Sequence, residues 1–145
     1  MARRIEIELD GVVVTARLLE ERAPRTCEAM WHALPYEDRV THAKWSGAMF
    51  HTNTPVLLGT WDGRYPHGIE GRCAFQAPGE MVYYEPAKEF AVAYGEAQFS
   101  WQTGPIFVTP VAVIEDDLTA FARKGEELVW KGAKRFVIRR RPDGT

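Results

Sequence analysis

Between Thr41 and Asn53 two histidines, a lysine and a serine recur at even spacing around Gly47-Ala48. If Gly47 and Ala48 form a two-residue hairpin turn, Ser46 faces Met49, Trp45 faces Phe50, Lys44 faces His51 and His42 faces Asn53. One side of the hairpin then carries Thr41, Ala43, Trp45, Phe50 and Thr52, which suit a core. The other carries His42, Lys44, Ser46, Met49, His51 and Asn53, within cross-strand reach of one another. Basic groups held this close favour each other's neutral forms. A lysine so tuned is a base or a Schiff-base nucleophile, and histidine titrates near neutrality. His42, Lys44 and His51 are therefore the candidate catalytic residues. The same pattern also describes the solvated side of an ordinary antiparallel hairpin.

A second group of residues is suited to holding a small molecule. Tyr83, Tyr84 and Glu85 end one run of strand-forming residues and Tyr94 ends the next, immediately before Gly95. Tyrosine combines a flat apolar ring with a hydroxyl, which fits both a pocket wall and the rim of a core. Successive strand residues face opposite sides, so only one of Tyr83 and Tyr84 points at a given site. Gln98, Phe99, Trp101 and Gln102 place amides beside aromatic rings in an expected loop. The candidate substrate-binding set is Trp45, Tyr83, Tyr84, Glu85, Tyr94, Gln98, Phe99 and Trp101. No tight His-x-His or His-Glu-x-x-His spacing is present, although His42, His51 and Glu85 share one neighbourhood on this reading, so no metal is assigned. No phosphate loop, dinucleotide fingerprint or Gly-x-Ser-x-Gly elbow is found, and no cofactor is expected.

The elements that must position these residues are mostly strands. Ile5, Ile7 and Leu9 alternate with Arg4, Glu6 and Glu8, Asp10-Gly11 offers a tight turn, and Val12 to Leu18 return. Ala23-Pro24 opens a helix to about Leu34, with Cys27, Met30, Trp31 and Leu34 on one stripe and Pro35 closing it. Strands are predicted at Val40 to Ser46, Met49 to Asn53, Glu80 to Tyr84, Phe90 to Tyr94, Ile106 to Ile114 and Phe136 to Arg140. Pro110 suggests an edge or a bulge, and the small Ala91 and Ala93 suggest a helix packed closely over them. A second helix is expected from Asp116 to about Lys131, capped by Asp116 or Asp117, with Gly125 weakening its interior by about 1 kcal/mol relative to alanine. Thr54 to Pro78, rich in glycine and proline, reads as a surface excursion. About eight strands and two helices in 145 residues favour a closed, mostly antiparallel β-barrel with helices covering its ends.

Composition narrows the function classes. One domain spanning residues 1–145 is expected, with 46% hydrophobic residues for its core. The 18 Lys+Arg against 20 Asp+Glu leave a formal charge of −2, with both signs interspersed, so a nucleic-acid partner is not expected. No stretch approaches the roughly 18 apolar residues of a membrane span, and neither a membrane partner nor a secretory leader is expected. Cys27 and Cys73 read as reduced thiols of a cytoplasmic protein.

Several segments resemble a known superfamily. Glu21-Arg22-Ala23-Pro24-Arg25-Thr26-Cys27-Glu28 is similar to the start of cyclophilins. His42-Ala43-Lys44-Trp45-Ser46-Gly47, Pro78-Gly79-Glu80-Met81-Val82-Tyr83-Tyr84 and Phe90-Ala91-Val92-Ala93-Tyr94-Gly95-Glu96-Ala97-Gln98-Phe99 resemble bacterial cyclophilin-like families of unknown function. The resemblance implies a cyclophilin-like barrel of eight strands and two capping helices. Nothing matches the arginine-bearing motif of the prolyl isomerases. A more distant similarity is to the cucumopine and mikimopine synthases, which imply a Pictet–Spengler condensation of an imidazole amine with a 2-oxo acid. The expected function is thus cofactor-independent acid–base chemistry, of condensation, lyase or isomerase type, on a small polar metabolite, in a homo-oligomer. The alternatives are a peptide groove or prolyl isomerase around Phe99, Trp101 and Phe107, and a non-catalytic metabolite binder.

Overall fold

The computed structural model describes residues 2–58 and 69–142. Alternation dictates its first unit. β1 (Arg4–Leu9) buries Ile5, Ile7 and Leu9, and β2 (Val12–Leu18) pairs back on it from Leu9↔Val12 to Arg4↔Arg17. Asp10 and Gly11 turn the chain with φ of 47° and 86°, the left-handed pair that matches the twist of a hairpin. α1 (Pro24–Ala33) follows, with Cys27 and Met30 buried. Its first free N–H groups are satisfied from far away: the Glu70 carboxylate accepts from Arg25 N, Thr26 N and Thr26 Oγ1 at 3.2, 2.7 and 2.7 Å.

The remaining elements are β3 (Tyr36–His42), β4 (Gly47–His51), β5 (Phe75–Gln76), β6 (Glu80–Tyr84), β7 (Glu89–Gln98), β8 (Ser100–Trp101), β9 (Gly104–Pro105), β10 (Thr109–Ile114), α2 (Thr119–Lys131) and β11 (Lys134–Arg140). The sheet runs β4-β3-β11-β1-β2-β10-β6-β7, and β7 pairs with β4 again to close the ring. This is the eight-stranded antiparallel barrel with two helices that the sequence led us to expect. β5 is one strand more, hydrogen-bonded to the far end of β7. The register slips between Pro110 and Ala112 where β10 meets β6, so Pro110 stands at an irregularity where its missing donor costs nothing. Among the described residues, no helix is long and apolar enough to cross a membrane.

The inward residues of the ring meet Cys27 and Met30 of α1 and Phe121 and Leu128 of α2 in one core. Outside, the two flanks differ. Across β3, β11 and β1 an ionic ladder runs Glu37, Arg135, Glu8, Arg139, Glu6, with contacts of 2.9, 3.0, 3.1 and 2.9 Å. Exposed pairs of this kind contribute at most about 1 kcal/mol each and mark a solvated surface. Across β4, β6 and β7 an apolar set of outward residues, Met49, Val82, Ala91 and Ala93, forms a second cluster with Phe99 and Val108. The covering over the two alanines is thus the segment after β7, not the helix expected there. Gln76 Oε1 accepts from Phe99 N at 2.7 Å and holds that segment in place.

The hairpin around Gly47-Ala48 needs correction. β3 ends at His42, residues Lys44–Ser46 form a single 3-10 turn, and Gly47 already belongs to β4. The observed pairs are Thr41↔His51 and His42↔Phe50, three positions away from the two-residue-turn register. An odd shift exchanges the two sides of the hairpin. The reason lies outside the hairpin: Gly47, at φ 107°, passes so close to β7 that an added Cβ would stand 2.9 Å from Glu96 O.

α2 starts at Thr119 rather than Asp116, with Asp117 Oδ1 accepting from Thr119 N at 2.7 Å. Gly125 is buried beneath Tyr94, and a Cβ there would lie 2.5 Å from Cδ2 and 2.7 Å from Cγ of that ring. Those atoms sit near the root of the side chain and cannot swing aside. Gly125→Ala is therefore expected to destabilise by about 1–3 kcal/mol through overpacking, despite the roughly 1 kcal/mol gain in helix propensity. Urea denaturation would check this, and a rise in midpoint would contradict it.

Candidate functional site

Alternation along β4 puts Phe50 inside the barrel and His51 outside. His51 Nδ1 lies 3.0 Å from Glu89 Oε2 and 2.9 Å from Thr52 O, and Nε2 lies 3.3 Å from Thr41 Oγ1. Two acceptors at Nδ1 place a proton on that nitrogen. Glu89, the first residue of β7, shares the outward parity of Ala91 and Ala93. His51 and Glu89 open into a cavity of about 440 Å³ bounded by Trp45, Tyr84, Phe99 and Trp101, with Ala43, Ser46, Pro86, Ala87, Ser100 and Ile106 completing it. Its aromatic rings touch in sequence. Trp45 stands 5.9 Å from the His51 ring and 5.3 Å from Trp101, and Tyr84 stands 5.0 Å from Phe99.

His42 lies on the opposite side of the sheet. Its Nε2 is 2.6 Å from Tyr94 Oη, and its Nδ1 is buried without a partner among the described residues. His42 and His51 therefore cannot share one ligand. Lys44 is exposed on the 3-10 turn, outside the cavity. Of the remaining candidate residues, Trp45, Tyr84, Phe99 and Trp101 line the cavity. Tyr83 points into the core and donates to Val56 O at 2.7 Å, and Glu85 is 2.9 Å from Lys88 Nζ. Gln98 ends β7 opposite Phe75. Phe107 is exposed beneath the Arg72 guanidinium, 5.1 Å from its ring centroid, and does not join the aromatic wall.

The two imidazoles shift in opposite directions. The hydrogen bond to Glu89 raises His51 above the ordinary 6.5 in spite of its burial. Burial, then the charges of Lys44 and His51, lower His42 below it. Stabilisation from His51 is then complete below pH 6.5 and fades as pH rises through its folded value. The His42 penalty grows as pH falls from 6.5 through its own lower folded value. Imidazole NMR should show one titration above 6.5 that vanishes in His51→Gln and one below it that vanishes in His42→Gln. Both falling on one side would contradict this assignment.

A family model described as a protein of unknown function (DUF3830) matches residues 5–139. The chain belongs to the DUF3830 family. Among curated proteins, none matches it. Of the solved structures similar to this DUF3830 chain, McbB in complex with tryptophan is 26% identical, with a TM-score of 0.72 over 97% of this chain and 46% of McbB. The chain thus spans less than half the length of McbB. A hypothetical protein from Archaeoglobus fulgidus, in a solution structure, is 19% identical with a TM-score of 0.63, covering 97% of this chain and 95% of its own. It shares the fold.

Glu89 escaped the sequence reading because Glu85-Pro86-Ala87-Lys88-Glu89 reads as a polar turn. A usable signal was present: counting back by two from Ala93 and Ala91 lands on Glu89.

Proposed function

We propose that this DUF3830 chain is a small-molecule enzyme that works by acid–base chemistry of the condensation type, in the cavity outside β4, β6 and β7. The observation that carries this reading is the His51–Glu89 pair, 3.0 Å apart, opening into an aromatic-walled space. Joining an amine to a carbonyl compound forms a C=N bond and releases water. The ammonium must first lose a proton, and the departing hydroxyl must gain one. In this reading Glu89 accepts the first, and the His51 imidazolium supplies the second. Glu89 then returns its proton to His51 across their 3.0 Å contact, which restores the carboxylate and the imidazolium. With an aromatic amine, the ring carbon attacks the protonated imine and gives up its own proton to that carboxylate, the Pictet–Spengler sequence. Trp45, Tyr84, Phe99 and Trp101 would hold the planar part of such a substrate. McbB, similar over nearly the whole chain, has tryptophan bound in its structure, and this supports an aromatic amine as the substrate class.

The test is incubation of the protein with tryptamine, histamine, tryptophan or histidine together with acetaldehyde or 2-oxoglutarate. Mass spectrometry then looks for a product of the summed mass less one water. Product that scales with enzyme and is lost in His51→Gln supports the proposal. Saturable binding with no product at any enzyme concentration would leave a non-catalytic binder.

A further inference from the structure

The two ring nitrogens of His51 meet different kinds of partner. Nδ1 faces the Glu89 carboxylate and Thr52 O. A carbonyl or an ionised carboxylate accepts and cannot donate, so while Glu89 is ionised Nδ1 keeps its proton and Nε2 is the end that titrates. Nε2 lies 3.3 Å from Thr41 Oγ1, on the residue directly opposite across the β3–β4 pair. A neutral ring needs a donor there and an imidazolium needs an acceptor. A hydroxyl serves as either, provided that its own proton has a second place to go.

The Asn53 side chain supplies that place. Thr41 Oγ1 is 3.3 Å from Asn53 Oδ1 and 3.2 Å from Asn53 Nδ2. Arg39 O accepts from Nδ2 at 2.8 Å, which fixes the amide this way round. With His51 neutral, the Thr41 hydroxyl donates to Nε2 and accepts from Asn53 Nδ2. With His51 protonated, Oγ1 accepts from Nε2–H and its own proton turns to Asn53 Oδ1. Both arrangements use the same heavy-atom positions. Asn53 is itself anchored, its backbone N–H donating to Asp38 Oδ2 at 2.6 Å. Thr41 stands behind the ring, outside the residues that bound the cavity.

We propose that Thr41 is a positioning residue: its hydroxyl meets Nε2 in each proton state of His51, so that the ring keeps Nδ1 on Glu89 and proton exchange stays at that contact. This rests on the reading of His51 and Glu89 as an acid–base pair. During turnover Nδ1 gives up its proton and regains one from Glu89, while Nε2–H stays on Oγ1. A half-turn of the ring would put Cδ2 against Glu89 and Cε1 against Thr41, and the two contacts oppose it together. A hydrogen bond from an ionised donor is the stronger kind, so the hydroxyl favours the imidazolium over the neutral ring. Glu89 of β7 and Asp38 of β3 act on His51 in the same direction, and His42 couples to it by charge from the other side of the sheet. Substitution of Thr41 leaves all three in place.

The test compares Thr41→Val, which keeps the branched shape that strands favour and removes the hydroxyl, with Thr41→Ser, which keeps the hydroxyl and loses the methyl group. In imidazole NMR the His51 titration is expected to move down in Thr41→Val and to stand near the wild-type value in Thr41→Ser. A role in packing alone predicts the reverse order, with serine the disturbed variant. For an amine and carbonyl pair, kcat of Thr41→Val should fall on the order of 10²-fold, the cost of a misplaced catalytic group, with KM nearly unchanged. An unmoved or raised His51 titration in Thr41→Val overturns the proposal, and so does a lowered titration with wild-type kcat. The titration needs no substrate. A wild-type protein that turns nothing over would refute the acid–base reading, and the two variants would still decide whether the hydroxyl governs His51.

Discussion

Glu89→Gln is expected to lower turnover of an amine and carbonyl pair by about 10²- to 10⁴-fold, the usual worth of a positioned proton-transfer group. The side chain keeps its shape and can still accept a hydrogen bond from His51 Nδ1, so the far-UV circular dichroism should not change. The charge is lost, however. The hydrogen bond to the carboxylate is the leading reason His51 is held above 6.5, so its NMR titration should move down in the variant, toward or past the ordinary value. The two readouts are independent of each other. Lost turnover with an unmoved His51 titration would show that Glu89 acts on substrate without tuning the imidazole. Wild-type turnover in the variant would mean that the base lies elsewhere.

Phe50→Ala should cost about 3–5 kcal/mol of stability, the range for truncating a fully buried aromatic. Phe50 is completely enclosed, with ring centroids 5.9 Å from Phe121 of α2 and 5.5 Å from Phe136 of β11. It also stands opposite His42 on β3 and Val92 on β7, at the strand that closes the ring. The cavity left behind would lie at the meeting point of one capping helix and three strands, where collapse is resisted from several directions. At this chain length a loss of that size corresponds to a fall in melting temperature of roughly 10 °C or more. A melting temperature within about 2 °C of wild type, well inside the scale of that loss, would show that the core repacks around the missing ring. His51 is the next residue on the same strand, so its titration reports whether a core defect reaches the outer surface.

What was legible in the sequence was local. Ile5, Ile7 and Leu9 with Asp10-Gly11 define a hairpin by alternation and turn chemistry alone, and Pro24 with the stripe through Cys27 and Met30 defines α1. The ring of eight strands follows from the count of such segments and from the resemblance to cyclophilin-like chains. What stayed hidden was set by partners distant in sequence. Gly47 looks like a hairpin turn, but it is required where β4 crosses β7, and the resulting odd shift sends His42 and His51 to opposite sides. Gly125 looks like a flaw in a helix until Tyr94 is seen lying over it. Of the aromatic candidates, Trp45, Tyr84, Phe99 and Trp101 meet around one cavity, while Tyr83 and Tyr94 are directed to the other side by the strict parity of β6 and β7. Glu89 was concealed by the proline turn before it.

The division of β4 and β7 into an inward and an outward set also bears on how such a barrel can diversify. Phe50, Phe90 and Val92 hold the ring together, while His51 and Glu89, one residue away, face the solvent side with turns and a short hairpin around them. Exchanging Trp45, Tyr84, Phe99 or Trp101 reshapes what the cavity accepts without touching a residue of the barrel interior. On the proposed reading of the cavity, ligand preference and foldability rest on separate sides of the same strands. One barrel can pass through many chemistries while its interior stays fixed.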